Sequence, residues 1–355
     1  MYMKKTIAII FGGKSTEYSV SLKSAYSVLS HMDRKKYDIY MIGISQNGEW
    51  KHFEGSLQMI ENDEWYQENL HDVMVCPSPT KQCLLEVNQG HIQEVKVDAI
   101  LPILHGKNGE DGTIQGMIQM SNIPLIGCDV LSSALCMDKH RAHELVKMNG
   151  IEVPHSLYLR NQKAYILKKK DILKLQLPLY IKPMKSGSSL GICRIESFDE
   201  LDDAIKQAFL HDDQVLVEEE VQGFEVGCAV KGIDELQVGR VDEIELSKDF
   251  FDFKEKYTLC TSKIHVPARI SETLEKQIQE VAKCIYHILD CRIFARVDMF
   301  LTPDHRIVFN EVNTIPGFTA HSRYPSMMKE AGVSFQELLS ELIEMGIEDA
   351  NKNIL

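Results

Sequence analysis

Short uninterrupted apolar runs alternate with helical spacings over the first third of the chain. Ile7-Ala8-Ile9-Ile10-Phe11 is apolar at every position and stops at Gly12-Gly13. A helical pattern follows through Val20, Ala25, Val28 and Leu29, and Tyr37 to Ile44 and Ala99 to Leu104 repeat the strand signal. A strand apolar on both faces is buried on both faces, so the pattern predicts an α/β fold with parallel strands covered by helices. Ligands of such sheets bind beyond the carboxyl ends of the strands, which marks Gly12 to Glu17 and His105 to Gly112 as site loops.

Farther along, Leu131 to Asn149 reads as one helix, closed by Gly150 with Pro154 beyond it. Leu179 to Pro183 reads as a strand that enters a small-residue loop, Lys185 to Gly191, and leaves it in another strand. Asp199 to Leu210 is predicted helical and Val215 to Glu218 extended. Strand patterns dominate from Glu225 to Ser271, where Ser-Glu-Thr-Leu opens an amphipathic helix to about Leu289. A hairpin and a closing helix from Ser334 to Met345 complete the chain.

The length of 355 residues suggests two or three domains at about 150 residues each. The 39 basic and 52 acidic residues leave a net charge of −13, which disfavours a general nucleic-acid binder. Nine cysteines without a C-x-x-C pair read as reduced thiols. Apolar stretches fall far short of the roughly 18 residues that span a membrane. A soluble cytoplasmic protein without membrane or nucleic-acid partners is expected.

The hairpin carries the strongest local chemistry. Its strands run from Phe294 to Leu301 and from Ile307 to Asn313, with Thr302-Pro-Asp-His-Arg306 as the turn. Alternation puts Arg296 and Asp298 on one face, and Glu311 and Asn313 on one face with Val308 and Val312 opposite. Two carboxylates and an amide form the hard oxygen set that suits Mg²⁺ beside phosphates; an exposed polar sheet face is the alternative. After Lys182, the glycines Gly187 and Gly191 and the hydroxyls of Ser188 and Ser189 make a loop able to cradle phosphate, or simply a surface hairpin. Gly13-Lys14-Ser15 is not a P-loop, because the first glycine of that motif falls at Ala8. His140-x-x-His143 has metal spacing, but its neighbours Lys139, Arg141 and Glu144 argue against a metal site.

Taken together, these segments resemble the D-alanine–D-alanine ligases. The resemblance rests on Phe11-Gly-Gly13 with Glu17 and Val20-Ser-Leu22, and on His105-Gly-Lys-Asn-Gly-Glu-Asp-Gly-Thr-Ile-Gln-Gly116. It continues through Met137-Asp-Lys139, Lys182-Pro183, Gly187-Ser-Ser189, Lys256-Tyr257, Arg296-Val-Asp298 and Asn310-Glu-Val-Asn-Thr-Ile-Pro-Gly317. It implies a three-domain ATP-grasp fold: 1–127, a Rossmann-like α/β domain binding the first D-alanine; 128–222, a central subdomain; and 223–355, a C-terminal subdomain with the metal and second-substrate sites. ATP and two Mg²⁺ (or Mn²⁺) ions are the implied cofactors, and a homodimer the implied assembly.

The same resemblance assigns roles by position. Lys139 and Lys182 are expected at the α/β-phosphates and Lys256 at the γ-phosphate. Ser188 and Ser189 belong to the phosphate loop, and Asn310 to the nucleotide site. Asp298, Glu311 and Asn313 are expected to hold the metals. Glu218, Glu219 and Val221 are expected along the adenine hinge, and Glu225 at the ribose. Glu17 is expected to bind the first D-alanine's ammonium group, with Ser188 and Tyr257 as a clasp and His105 near the carboxylate. Arg296 and the Gly317 N–H are expected at the oxyanion, and Ser322 at the second carboxylate.

At the second substrate the chain looks like the VanG-type D-alanine–D-serine ligases of glycopeptide-resistant bacteria. Arg323 follows Ser322 where ordinary members of the family carry an aliphatic residue, and Asp242 and Phe251 match positions that shape a D-serine pocket. A methyl asks only for an apolar pocket, whereas a hydroxyl needs a partner that an Asp held by an Arg can supply. D-alanine followed by D-serine, or by a second D-alanine, are therefore the expected substrates.

Overall fold

A computed structural model describes residues 4–67, 69–185, 191–246 and 262–352. Ser188, Ser189, Phe251, Lys256 and Tyr257 lie outside the described residues.

The first sheet has seven strands: β1 (Lys5–Gly12), β2 (Tyr37–Ile44), β3 (Trp50–Phe53), β4 (Asp72–Val75), β5 (Cys83–Asn88), β6 (His91–Lys96) and β7 (Ala99–Ile103). Their order is β6-β5-β4-β3-β2-β1-β7, and β1 pairs in parallel with both β2 and β7. The predicted parallel core is present, but β3 to β6 add an antiparallel extension over residues 50–96. Helix α1 (Tyr18–His31) covers one face through Tyr18, Leu22, Ala25 and Leu29, spaced for a single apolar stripe. The short helix α2 (Leu57–Glu61) packs against α1, and α3 (Thr113–Ser121) lies under the other face.

The single helix expected from Leu131 to Asn149 is two helices, α4 (Val130–Met137) and α5 (Lys139–Met148). Asp138 between them leaves helical geometry at ψ 91°, and its carboxylate accepts the Arg141 N–H at 3.0 Å. That N-cap satisfies one of the donors a helix start leaves open, so a break within an apolar spacing is stable. It makes Lys139 the first residue of a helix.

The second sheet is built from β8 (Ser156–Leu159), β9 (Leu179–Pro183), β10 (Cys193–Ile195) and β11 (Val215–Glu219), in the order β10-β9-β11-β8. Helices α6 (Gln162–Ile172) and α7 (Leu201–Ala208) pack on it.

The third sheet combines β12 (Phe224–Gly232), β13 (Gln237–Val238), β14 (Asp242–Leu246), β15 (Ser262–His265), β16 (Ile293–Leu301) and β17 (Ile307–Asn313), in the order β15-β14-β12-β16-β17 with β13 beside β12. Helix α8 (Glu272–Ile288), capped by Ser271, fills the face lined by Val226, Cys228, Val297 and Met299. Helix α9 (Arg323–Glu330) packs against β12. The last helix, α10 (Phe335–Lys352), crosses back to the first sheet, where Leu338, Leu339, Leu342 and Ile343 share a core with Ile7, Ile9 and Phe11. Among the described residues, no helix is long and apolar enough to cross a membrane.

Candidate active site

A cleft of about 460 Å³ opens between the carboxyl ends of β1 and β7, the α4–α5 break and the loop after β17. Glu17, His105 and Lys139 line it from one side. Arg296, Glu311, Asn313, Gly317, Ser322 and Arg323 line it from the other. The loops following the parallel strands thus meet the polar face of the hairpin.

The hairpin register explains that face. Arg296 stands opposite Asn313 and Asp298 opposite Glu311, but a bulge then sets Met299 against Phe309 and skips Asn310. Strict alternation would turn Phe309 onto the carboxylate face. The bulge sends it instead into the core with Met299 and Val312. Glu311 and Asn313 share one face as expected, but the bulge turns Val308, expected opposite them with Val312, onto their face, where it stands against Phe300.

Asp298 is not the open ligand that the sequence suggested. It is 1% exposed, and both its oxygens are engaged. The Arg296 guanidinium donates to Oδ1 from Nε at 2.8 Å and to Oδ2 from Nη2 at 2.7 Å, and the Asn313 amide donates to Oδ2 at 2.8 Å. Lys139 Nζ lies 3.3 Å from Glu311 Oε2, at the start of α5.

Asp242, Gly227, Asp298 and Glu311 form one row across β14, β12, β16 and β17. Over its glycine lies the Arg323 guanidinium, which donates to Asp242 from Nε at 2.7 Å and from Nη2 at 2.8 Å. Its Nη1 donates to Glu225 at 2.7 Å, and Nη2 lies 3.3 Å from Asp298 Oδ1. A Cβ at position 227 would sit 2.4 Å from Arg323 Nη2 and 2.6 Å from Asp242 Oδ1, so only glycine leaves room for the pair. Asp242 is wholly buried behind the arginine. Arg323, not Asp242, faces the cleft.

At the other end, His105 Nδ1 donates to the Ile315 carbonyl at 3.0 Å, and Nε2 faces the Ser24 hydroxyl at 3.0 Å. The carbonyl contact fixes the proton on Nδ1. Burial pushes the ring's pKa below its ordinary value, against the opposing charge of Glu17, and keeps it neutral. Glu110, to which sequence reading gave no role, is more telling. Its carboxyl accepts the Gly106 N–H at 2.8 Å and the Ile315 N–H at 3.1 Å, joining the loop after β7 to the loop after β17. Burial, with the nearby charge of Glu17 adding to it, pushes its pKa up to about 8.

The remaining expected residues, on or just after the second sheet and on β12 and β17 of the third, do not line the cleft. Lys182 is paired with Glu218. The Glu219 carboxylate turns away to His155 and the Gln176 N–H, and its own N–H donates to the His155 carbonyl at 2.9 Å. Val221 and Asn310 are half-buried. The expected ribose contact, Glu225, has one oxygen engaged by Arg323. His143 Nε2 donates to the Asn310 carbonyl at 2.7 Å, so its Nδ1 carries only a lone pair. That nitrogen and Glu218 Oε2 are buried 3.9 Å apart without hydrogen-bond partners. Two facing acceptors call for a donor between them, as an exocyclic purine amine would be. His140 stacks on Tyr158, and the H-x-x-H spacing builds no metal cluster among the described residues.

Residues 6–128 match the family model described as D-ala D-ala ligase N-terminus, and residues 145–344 the one described as D-ala D-ala ligase C-terminus. The vancomycin C-type resistance protein VanC1 of Enterococcus gallinarum is 40% identical over 353 residues, covering 97% of this chain and 99% of that protein. The solved structure of VanG D-Ala:D-Ser ligase from Enterococcus faecalis is 53% identical with a TM-score of 0.90, covering 97% of this chain and all (100%) of that one. A D-alanine–D-alanine ligase from Bacillus anthracis, solved in complex with ATP, is 25% identical with a TM-score of 0.74, covering 98% and 99%. The chain belongs to the D-alanine–D-alanine ligase family, ATP-binding, ADP-forming ligases of the ATP-grasp fold.

Proposed function

We propose that the protein is a D-alanine–D-serine ligase, making a dipeptide precursor of peptidoglycan that lowers susceptibility to vancomycin-type glycopeptides. The observation that carries this reading is the Arg323 guanidinium at the cleft wall, held from behind by Asp242. The guanidinium charge is already answered by carboxylates, but its Nη1 gives one hydrogen to Glu225 and keeps a second. An apolar methyl offers that hydrogen no acceptor, whereas a serine hydroxyl does. The 53% identity to VanG D-Ala:D-Ser ligase supports the same choice.

In this reading Glu17 takes the ammonium group of the first D-alanine, and neutral His105 stands near its carboxylate. Bound ATP supplies the phosphoryl group that activates that carboxylate, and Mg²⁺ screens the transferred charge. Lys139 and Lys182 orient the phosphates, and Glu225 meets the ribose in exchange for its contact to Arg323. Glu218 and His143 receive the adenine amine, with the backbone of Glu219 and Val221 beside it. Glu311 and Asn313 offer oxygens to the ions from the cleft wall, and Asp298 joins them by releasing one Arg296 hydrogen bond. Arg296 and the Gly317 N–H hold the oxyanion formed when the second amine attacks, donors worth about 3–4 kcal/mol each. Ser322 takes the second carboxylate, and its hydroxyl lies beside Gly317. A cytoplasmic homodimer is part of the proposal, as the family resemblance implies.

The test is a competition. With ATP, Mg²⁺ and equal D-alanine and D-serine, chromatography of the products should show mainly D-alanyl-D-serine. A clear excess of D-alanyl-D-alanine would identify a housekeeping D-alanine–D-alanine ligase instead.

A further inference from the structure

A second group of ligand-type side chains stands on the first sheet, and none of it lines the cleft. His52 is on β3, Glu86 on β5, and His71 immediately precedes β4. Glu86 Oε1 lies 2.5 Å from His71 Nδ1, and Oε2 lies 3.2 Å from His52 Nδ1. The three ligand atoms are all within 4.8 Å of one another. We propose that His52, His71 and Glu86 bind a divalent transition-metal ion of the zinc class.

The donor set argues for that class. Two imidazole nitrogens with one carboxylate suit Zn²⁺ and its borderline neighbours, whereas Mg²⁺ and Ca²⁺ prefer oxygen alone. The supporting contacts have the form metal sites use, in which outer groups orient the ligands. The Tyr40 hydroxyl donates to Glu86 Oε2 at 2.7 Å, and the Tyr40 ring stacks on His52 with centroids 3.9 Å apart. The His52 N–H donates to the His71 carbonyl at 2.9 Å, which ties the two imidazoles to one backbone contact.

Burial works to raise the Glu86 pKa, but the hydrogen bonds from Tyr40 and His71 outweigh it and keep the carboxyl ionised. His52 and Glu86 are each 13% exposed, whereas His71 is 39% exposed and gives an ion its way in. Without metal each histidine uses Nδ1 toward the carboxylate. An ion on those nitrogens takes the place of both hydrogen bonds, with each ring's proton on Nε2. The bound ion then staples β3, the start of β4 and β5, in a sheet extension also held by the buried Val73, Val75 and Leu84.

The test uses the full-length enzyme dialysed against Zn²⁺ in excess Mg²⁺, which occupies the oxygen ligands of the cleft. The wild type should hold one equivalent of Zn²⁺ more than His71→Asn, while Glu311→Gln retains that equivalent. Co²⁺ in place of Zn²⁺ should give a visible absorption band that His71→Asn lacks. At saturating Zn²⁺ the wild-type Tm should rise by about 5 °C. His71 is the most exposed of the three, so its replacement spares the fold, which circular dichroism verifies; His52→Ala should repeat the loss. Equal Zn²⁺ stoichiometry in wild type and His71→Asn, with no Co²⁺ band in either, overturns the proposal.

Discussion

Arg323 holds both oxygens of Asp242, at 2.7 and 2.8 Å, and Asp242 has no exposure to solvent. The same guanidinium touches Glu225 and approaches Asp298, so one cation answers three carboxylates.

Arg323→Leu therefore does more than change a pocket. Breaking a buried pair from one side leaves the other charge uncompensated and costs about 3–5 kcal/mol. We expect a clear fall in Tm, together with a product ratio moved toward D-alanyl-D-alanine. Adding Asp242→Asn should recover part of the stability without restoring D-serine preference. Melting curves and product chromatography of the single and double variants give the cycle. A single variant as stable as wild type would contradict the role assigned to the pair.

Gly227→Ala places one methyl between Arg323 and Asp242, at distances no packed atom tolerates. Overpacking of this kind costs about 1–3 kcal/mol. The expected readout is a lower Tm and a raised KM for the second amino acid. An unchanged KM would mean that the arginine can shift without consequence.

Glu311→Gln keeps the shape of the side chain and removes its charge from the cleft wall. Loss of metal-assisted charge screening of several kcal/mol corresponds to a fall in turnover of about a hundredfold or more. Circular dichroism should be unchanged. Chelation of Mg²⁺ should abolish wild-type turnover, and Mg²⁺ or Mn²⁺ should restore it. Near-normal rates in the variant would move the metal site elsewhere.

Glu110 supplies a pH prediction. Its native pKa is raised to about 8, so the folded state retains a proton that the unfolded chain releases in the ordinary carboxyl range. The stability contributed by this group is complete below that range and is lost as pH rises to about 8. Glu110→Gln should flatten the fall in Tm across that window, since glutamine does not titrate. Parallel Tm profiles for variant and wild type would show that the carboxyl titrates normally.

Much of this architecture could be read from apolar runs. Ile7 to Phe11 gave its strand unaided because full burial leaves no polar position to confuse the pattern. Residues 50–96 carry no such signal, since a strand as exposed as β6 mixes polar and apolar residues without clean alternation. The break at Asp138 was hidden by apolar spacing that runs through it, although Asp is a good N-cap. At the site, short motifs pointed to Glu17, Lys139, Arg296 and Glu311. No motif assigns a role to Glu110 or Gly227, because their roles arise from contacts between segments far apart in sequence. An isolated glycine inside a strand was the one available signal, as it often marks the close approach of another group.

The return of α10 to the first sheet has a consequence for how the protein is made. Lys5 and Tyr37 both bond to Glu344, which lies 339 and 307 residues beyond them. The opening strands leave the ribosome long before the helix that seals their hydrophobic face exists. Until translation has passed Leu338 to Ile343, Ile7, Ile9 and Phe11 lack part of their cover, and exposed apolar surface of this kind invites aggregation. The nascent amino-terminal half must wait, or be chaperoned, before its core closes. Release of a chain stopped short of Leu338 should yield a protein that synthesises normally and fails to stay in solution.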